Sequence, residues 1–291
     1  MNKNPKLNFA DRVHNKISNS VIRMADSIDN FFGNERMDVE TNGTRIRLFT
    51  LTTIPEGELA TTEGGFRIQL VLPKTENRFR LTLTRDDNDQ DEDDDSTPQT
   101  NTADNQNNEQ ATEAGLRYLW DEANVNLSTD IGIRAEIPPR LFSQARIRKN
   151  IEIDKNWIFR PVQRVRWLQF EGFSANTNLN FDRRINDAWL FRLVNSLNWN
   201  DQDYRIILQN GPTFLHKIND KIGMSYNAFV ISESSPNSRV ENYVLSIGYR
   251  QLLYKNWFFW EVSPSVSFPR TNNFHRSPAW SIRFEAIVGN I

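Results

Sequence analysis

From residue 44 to the end of the chain, apolar and polar side chains alternate with a period of two. Ile46 and Leu48 alternate with Arg45 and Arg47, and the same pattern runs through 66–72, 78–84 and 280–288. Successive side chains of a β-strand point to opposite faces of the sheet. The alternation therefore predicts an all-β region whose strands each have one apolar and one polar face.

Turn-forming residues divide this region into strands. Short turns are predicted at 73–77, 121–124, 154–156, 184–187, 218–220 and 254–256, and mostly longer polar connections near 55–64, 86–112, 137–140, 171–174, 199–203, 233–240 and 269–278. This arrangement predicts about 14 antiparallel strands with both chain ends on one side. If the signals at 121–124 and 138–139 are misread, 12 strands remain. Short turns opposite long loops are typical of a transmembrane β-barrel.

The N-terminal region has a different period. Asn8 is a suitable N-cap and Gly33 a suitable C-terminal residue for a helix, and apolar residues between them recur every three or four positions. The stripe comprises Phe9, Val13, Ile17, Val21, Met24, Ile28 and Phe31. We therefore predict an amphipathic helix in a region spanning 1–36, ahead of a barrel spanning 44–291. The helix either simply packs on its own protein, or lies at the periplasmic mouth as a plug or as a docking site for another envelope protein.

Two features of the composition bear on the predicted fold and location. The mean hydropathy of −0.63 resembles that of a soluble protein, yet the chain has 8 Trp and 19 Phe. In a membrane barrel only alternate residues face lipid, and aromatic residues form girdles at the interfaces, so both values fit. No run of 18 apolar residues exists, and no apolar signal-peptide core follows Met1. Location in the bacterial outer membrane, in contact with its lipid, thus implies that a signal was already removed.

The tract at 86–111 consists almost entirely of Asp, Asn, Gln, Glu, Ser and Thr. Such a segment cannot bury apolar surface, so we predict a disordered, acidic external loop. Its carboxylates are suitable Ca²⁺ ligands, but the glycine-punctuated spacing of a calcium loop is absent. A solvated loop is the favoured interpretation.

The polar phase of the predicted strands is rich in arginine. A lumen with this composition would be positively charged and would favour anions. The alternative is a closed barrel filled by arginine–carboxylate pairs. The predicted lumen-lining residues are Arg45, Arg47, Arg67, Arg78, Arg80, Arg134, Arg146, Arg148, Arg160, Arg164, Arg166, Arg192, Arg205, Arg250, Arg283, Glu136, Glu152, Glu261 and Glu285, and Arg117, Asp130 and Asp182 share their phase.

The sequence gives little support for nucleic-acid binding, for a metal or cofactor site, or for catalysis. The net charge of −2 and pI of 6.0 argue against nucleic acid as a partner. There is no cysteine, no cluster with metal-ligand spacing and no glycine loop for a phosphate, so we expect no metal and no cofactor. Of the three histidines only His275 has a serine nearby, Ser277, and the segment is predicted to be a loop. We therefore expect no catalytic residues and no enzyme, with an outer-membrane lipid hydrolase as the least favoured alternative.

Two segments carry a family resemblance. Residues 249–270, with Tyr254-Lys255-Asn256-Trp257 at their centre, resemble the C-terminal part of an uncharacterised family of proteobacterial outer-membrane β-barrel proteins. Residues 27–33 resemble the end of that family's N-terminal helix. The resemblance implies a fold and a location but no activity. The leading hypothesis is a channel or transporter for small, anionic solutes, and the alternative is a closed structural barrel that binds another envelope protein.

Overall fold

The computed structural model describes residues 31–32, 44–72, 78–85, 111–122, 125–202, 204–234 and 237–289. No helix in these ranges is long and apolar enough to span a bilayer. The strands are β1 (Arg45–Pro55), β2 (Thr61–Val71), β3 (Phe79–Arg85), β4 (Thr112–Glu122), β5 (Val125–Ala135), β6 (Arg140–Lys149), β7 (Ile151–Asp154), β8 (Trp157–Leu168), β9 (Gly172–Arg184), β10 (Trp189–Asn200), β11 (Ile206–Lys217), β12 (Ile222–Glu233), β13 (Arg239–Tyr254), β14 (Phe258–Pro269) and β15 (Ser277–Gly289).

The strands form one antiparallel sheet that closes on itself. Each strand pairs with its neighbour in sequence, β1 pairs with β15, and the pairing of β6 with β8 completes the ring. The short β7 continues β6 after Asn150 and pairs with the first residues of β8. Leaving β7 out, the barrel has 14 strands, and the prediction of 14 rather than 12 is confirmed. Each of these 14 strands is paired along both edges, which protects the ring from pairing with other chains.

The two ends of the barrel differ as predicted. At one end, called the turn end, connections such as those at 155–156 and 218–221 are short, and strand β1 begins there beside the end of β15. At the other end, called the loop end, β3 and β4 are joined through 86–111, which includes the predicted acidic loop and lies mostly outside the described residues. The weakest predicted turns were correct, because β4 ends at Glu122 before β5 begins at Val125, and β5 and β6 are separated by 136–139.

Burial in this sheet is inverted relative to a soluble protein. Ile131 and Leu245, on the outer face, are 63% and 50% exposed, whereas Arg80, Arg160 and Arg250 on the inner face are 1% exposed. Within the described strands, charged side chains of the outer face occur only near strand ends, as at Arg85, Lys149 and Arg183. The outer surface is thus an uncharged apolar belt around a charged interior, which is the pattern of a barrel in lipid.

Aromatic side chains form a girdle on the outer face near the turn end. Many of these rings are in contact, for example Phe159 with Phe181 at 4.6 Å and Trp189 with His216 at 4.0 Å between ring centroids. The members are Trp157, Phe159, Phe181, Trp189, Phe191, Phe214, Phe258 and Phe284. Such rings favour the boundary between hydrocarbon and headgroups, and Arg183, over the ring of Trp157, can extend its charge towards water.

Candidate functional site

The candidate site is the interior of the barrel, where the register places most of the residues predicted to line a lumen. The inward-facing members within the strands are Arg45, Arg47, Arg67, Arg80, Arg134, Arg146, Arg148, Arg160, Arg164, Arg166, Arg192, Arg250, Arg283, Glu152, Glu261 and Glu285. Three members lie elsewhere: Arg78 precedes β3, Arg205 precedes β11, and Glu136 follows β5. These three lie at the rims of the barrel, because the alternation of polar and apolar residues in the sequence continues slightly beyond the ends of the strands.

The buried charges of the interior are strongly unbalanced. Among the described residues, eleven arginines are buried but only four carboxylates, an excess of seven positive charges. The carboxylates are Glu113, Asp130, Asp182 and Glu285. Burying isolated charges is costly unless they are paired or solvated. An excess of this size therefore favours an interior that attracts water and anions.

Like charges also stand directly opposite one another on neighbouring strands. The opposed pairs are Arg47 with Arg67, Arg80 with Arg117, Arg134 with Arg140, and Arg146 with Arg164. Directly opposed like charges destabilise a sheet. Carboxylates offset part of this repulsion, since Glu136 lies 3.0 Å from Nε of Arg134 and also bonds to Arg140.

One buried ion-pair network joins β8, β9 and β10. Asp182, which is fully buried, accepts from Nε and Nη2 of Arg192 at 2.8 and 2.9 Å. Its Oδ2 also lies 3.0 Å from Nη1 of Arg160. Two guanidinium groups thus share one carboxylate, and the bidentate contact to Arg192 is of the strong, charge-assisted kind.

A second network crosses the seam between the two ends of the chain. Glu285 of β15 bonds to both Arg47 of β1 and Arg250 of β13. Arg250 also lies 3.4 Å from Glu261 and places its guanidinium over the ring of Phe259 at 4.6 Å. Because Glu285 and Arg47 are 238 residues apart, this contact holds the closure of the barrel from inside.

A third network extends towards the loop end. Arg117 donates to Asp130 at 2.6 Å, and Glu113 bonds to Arg166 and lies 3.7 Å from Arg134. Arg140, at the start of β6, bonds to Glu136 and Glu171 at the rim. Carboxylates thus reinforce several positions along this side of the barrel.

The remaining wall, from β9 to β14, is mainly uncharged and polar. Asn176 donates to Asn198 at 2.6 Å, Asn178 donates to Asn176 at 3.0 Å, and Asn227 donates to Ser246 at 3.2 Å. The buried Oδ1 atoms of Asn178 and Asn227 accept no hydrogen bond from the described part of the protein. These two atoms are shielded from solvent, but partly exposed inward residues such as Asn198 and Ser263 can hydrogen-bond to water or a polar solute beside the arginines.

An aromatic pair occupies the interior near the turn end. Phe31 and Phe32, both 8% exposed, form a cluster with the buried inward residues Leu190 and Leu215. The Phe31 ring also meets that of Phe259 edge-on at 6.3 Å. Gly223 permits this approach, since a Cβ there would lie 2.6 Å from the Phe31 ring and 2.7 Å from the Phe32 ring.

This pair is the described part of the predicted amphipathic helix. Its residues 31–32 are helical and Phe31 lies inside the barrel, while Phe9, Val13, Ile17, Val21, Met24 and Ile28 lie outside the described residues. Phe32 was not among the predicted stripe residues. The sequence signal available for it was its adjacency to Phe31, but a contact with a glycine 191 positions away leaves no local pattern.

The candidates for other chemistry lie apart from this interior. His216 stacks on Trp189 in the outer girdle, and His275 is in the loop before β15 with Nδ1 2.9 Å from the carbonyl oxygen of Asn272. Within the ranges that the structure describes, no group of three or more acidic or histidine side chains is placed to hold a metal ion.

Comparisons with known proteins found similar solved structures. No family model and no curated protein sequence matches the chain. OmpT, an outer membrane protein of Vibrio cholerae, is 8% identical over 86% of this chain and 99% of its own, with a TM-score of 0.48. The outer membrane channel DcaP of Acinetobacter baumannii is 8% identical over 84% and 96%, with a TM-score of 0.46. The porin NanC is 10% identical over 60% and 93%, with a TM-score of 0.40.

Proposed function

We propose that this protein is an outer-membrane channel for small anions, with its N-terminal region acting as a plug. The inverted burial supports the location, because an uncharged belt with exposed side chains such as Ile131 and Leu245 is unfavourable in water. Short turns at one end and long loops at the other indicate insertion with the turn end towards the periplasm.

The observation that carries the anion proposal is the excess of seven buried positive charges. A lumen between low-dielectric walls concentrates the field of such charges and raises the local concentration of counterions. Guanidinium groups also match the geometry of carboxylate and phosphate. The uncharged wall from β9 to β14 offers hydrogen bonds to the rest of a polar solute.

We expect the purified protein to conduct anions in planar bilayers. In a potassium chloride gradient, the reversal potential should give a chloride permeability that exceeds that of potassium by roughly tenfold, the lower end of the enrichment in a charged cleft. Replacing both Arg146 and Arg164 with glutamine should lower this ratio, since two inward charges are lost.

The matched control is the exchange of Lys149 and Lys255, which lie on the outer face and in a turn, for glutamine. That variant carries the same change in net charge but should keep the selectivity of the wild type. A cation-selective channel, or equal effects of the two double variants, would contradict the anion proposal.

The plug proposal predicts that conductance rises when Phe31 and Phe32 are both replaced by alanine. Loss of the two rings removes the contacts with Leu190, Leu215 and Phe259 that hold this region inside the barrel. Burial of each ring contributes about 2 kcal/mol, so the docked state should lose most of its advantage. Single-channel recordings measure the change, and a chain without residues 1–36 should behave in the same way.

The control variant for the plug is Phe229→Ala, which also removes a buried inward ring but in a different cluster. It should leave the conductance close to that of the wild type. If the Phe31/Phe32 variant conducts no better than the wild type or the control, the pair has a structural role and the plug proposal fails.

A closed interaction barrel is the second candidate. The networks around Asp182 and Glu285 favour it, because shared ion pairs can fill an interior as well as line a channel. This candidate predicts no conductance in the wild type, in the Phe31/Phe32 variant or in the shortened chain. The same recordings thus distinguish the two functions, and co-purification from mildly solubilised membranes would then identify the partner.

A further inference from the structure

An apolar groove of about 480 Å³ lies on the outside of the barrel, across β11 to β14. Eight of its eleven lining residues, among them Pro212, Phe214, Ala228 and Pro264, are on the outward phase of their strands, and Asn227, Ser246 and Ser265 between them are on the inward phase. The volume falls in the range of roughly 300–1,000 Å³ typical of ligand sites. The cavity thus opens into the apolar belt and not into the lumen.

The groove exists because short side chains interrupt a surface of large ones. Pro212, Ala228 and Pro264 form its low part, and Phe214, Tyr226 and Leu245 rise at its sides. Ala228 lies between Val230 and Tyr226 on the outer phase of β12, so it leaves a gap at the middle of the strand.

The same positions interrupt the strand pairing. Between β11 and β12 the ladder stops at Asn210 with Val230 and resumes at Thr213 with Asn227. Between β13 and β14 it stops at Ser246 with Ser265 and resumes at Tyr249 with Val262. Pro212 and Pro264 lie in these two gaps, and neither can donate a ladder hydrogen bond. The paired strands β12 and β13 therefore form a panel with an interruption along each edge.

The inner face of this panel carries both polar and apolar groups, and at the position of the groove Asn227 donates to Ser246 at 3.2 Å. Phe229 of β12 and Val244 of β13, each 2% exposed, cluster with Val194, and Ile231 packs against them. Elsewhere the interior is lined largely by arginine, amide and hydroxyl groups. This apolar cluster is the next inward pair towards the loop end, so the groove owes its apolar character to its outer lining.

We propose that the groove binds one hydrocarbon chain of a membrane lipid and retains it longer than the lipids around the rest of the barrel. The groove is continuous with the exposed belt, in which the neighbouring Leu245 and Ile247 are 50% and 44% exposed. In an outer membrane, the hydrocarbon chains of lipids cover this belt. A groove that surrounds a chain on several sides makes more van der Waals contacts with it than a flat wall does.

The test is photo-crosslinking in vesicles of phosphatidylethanolamine in which a fraction of the lipid carries a diazirine within an acyl chain. Peptide mapping should find crosslinks concentrated on 212–214, 226–228, 245–247 and 264–266. Replacing Ala228 with tryptophan fills the groove and should reduce these crosslinks to the level of the rest of the outer face, because the indole occupies the space of the chain. Ala228→Leu, a smaller change, should give an intermediate reduction if the tryptophan variant does not fold.

The matched control is Ala145→Trp on β6, an outward-facing and exposed alanine that does not line the groove. Crosslinks spread evenly over the outer faces of all strands, or equal reductions in the Ala228 and Ala145 variants, would overturn the lipid site and leave the channel proposal intact. Failure of the protein to enter the vesicles, seen by flotation, would overturn both. Circular dichroism and heat-dependent gel mobility establish that each variant forms the barrel.

Discussion

Replacing Asp182 with alanine should lower the free energy of unfolding by about 3–5 kcal/mol, the cost of removing one partner from a buried ion pair. Asp182 is fully buried, and Arg160 and Arg192 are 1% and 3% exposed. Its two oxygen atoms receive contacts of 2.8, 2.9 and 3.0 Å from these guanidinium groups. Without the carboxylate, two positive charges remain close together on the inner face of β8 and β10.

The measurement is equilibrium unfolding by guanidinium chloride in lipid vesicles, followed by tryptophan fluorescence. Asp182→Asn should cost less than the alanine substitution, because the amide oxygen can still accept one hydrogen bond from an arginine. The matched control is Asp187→Ala, which removes the ion pair with Arg184 at a position that is 90% exposed. Exposed pairs contribute about 0–1 kcal/mol, so this variant should remain near the wild type.

A loss below about 1 kcal/mol for Asp182→Ala would mean that water and ions in the lumen replace the carboxylate with little cost. The ion-pair network would then be a property of a well-hydrated channel and not a support of the fold. That result would weigh against the closed interaction barrel and leave the conductance recordings as the remaining test of function.

The sequence was sufficient to predict the barrel because its two main signals are local. Alternation defines each strand from neighbouring residues, and turn residues such as Asp154, Lys155 and Asn156 mark where one strand ends and the next begins. Tight turns even carry some register. Arg146 and Arg164 are placed almost symmetrically about the turn at Lys155, so their opposition in the structure was accessible from the sequence.

The contacts on which the proposed functions depend could not be predicted in this way. Arg80 opposes Arg117 across a connection whose length gives no register, and Glu285 meets Arg47 only because the barrel closes. Phe31 and Phe32 fit inside the barrel because Gly223 has no side chain there. A missing side chain does not contribute to a periodic pattern, so this contact left no sign in the sequence. The outer groove likewise requires short side chains of β11, β12 and β14 to lie near one another on the outer face.

A second large effect is expected from a charge in the apolar belt. Ile131→Arg should cost about 2–4 kcal/mol in a bilayer, because the arginine would face hydrocarbon near the middle of the membrane. Ile131 lies at the centre of β5 on the outer face, between Leu116 of β4 and Ser143 of β6, and is 63% exposed. In a soluble barrel, an isoleucine so exposed to water could be replaced by arginine at almost no cost.

The control is Leu59→Arg, which introduces the same charge at a residue that is 90% exposed in the connection between β1 and β2. Unfolding of both variants in vesicles, under the conditions used for Asp182, gives the difference directly. A large cost at Ile131 with little change at Leu59 places the belt in hydrocarbon. Equal stabilities would mean that water reaches Ile131, and the proposals of a membrane location, an anion channel and a lipid-binding groove would all be wrong, since each requires the outer face of this sheet to contact lipid.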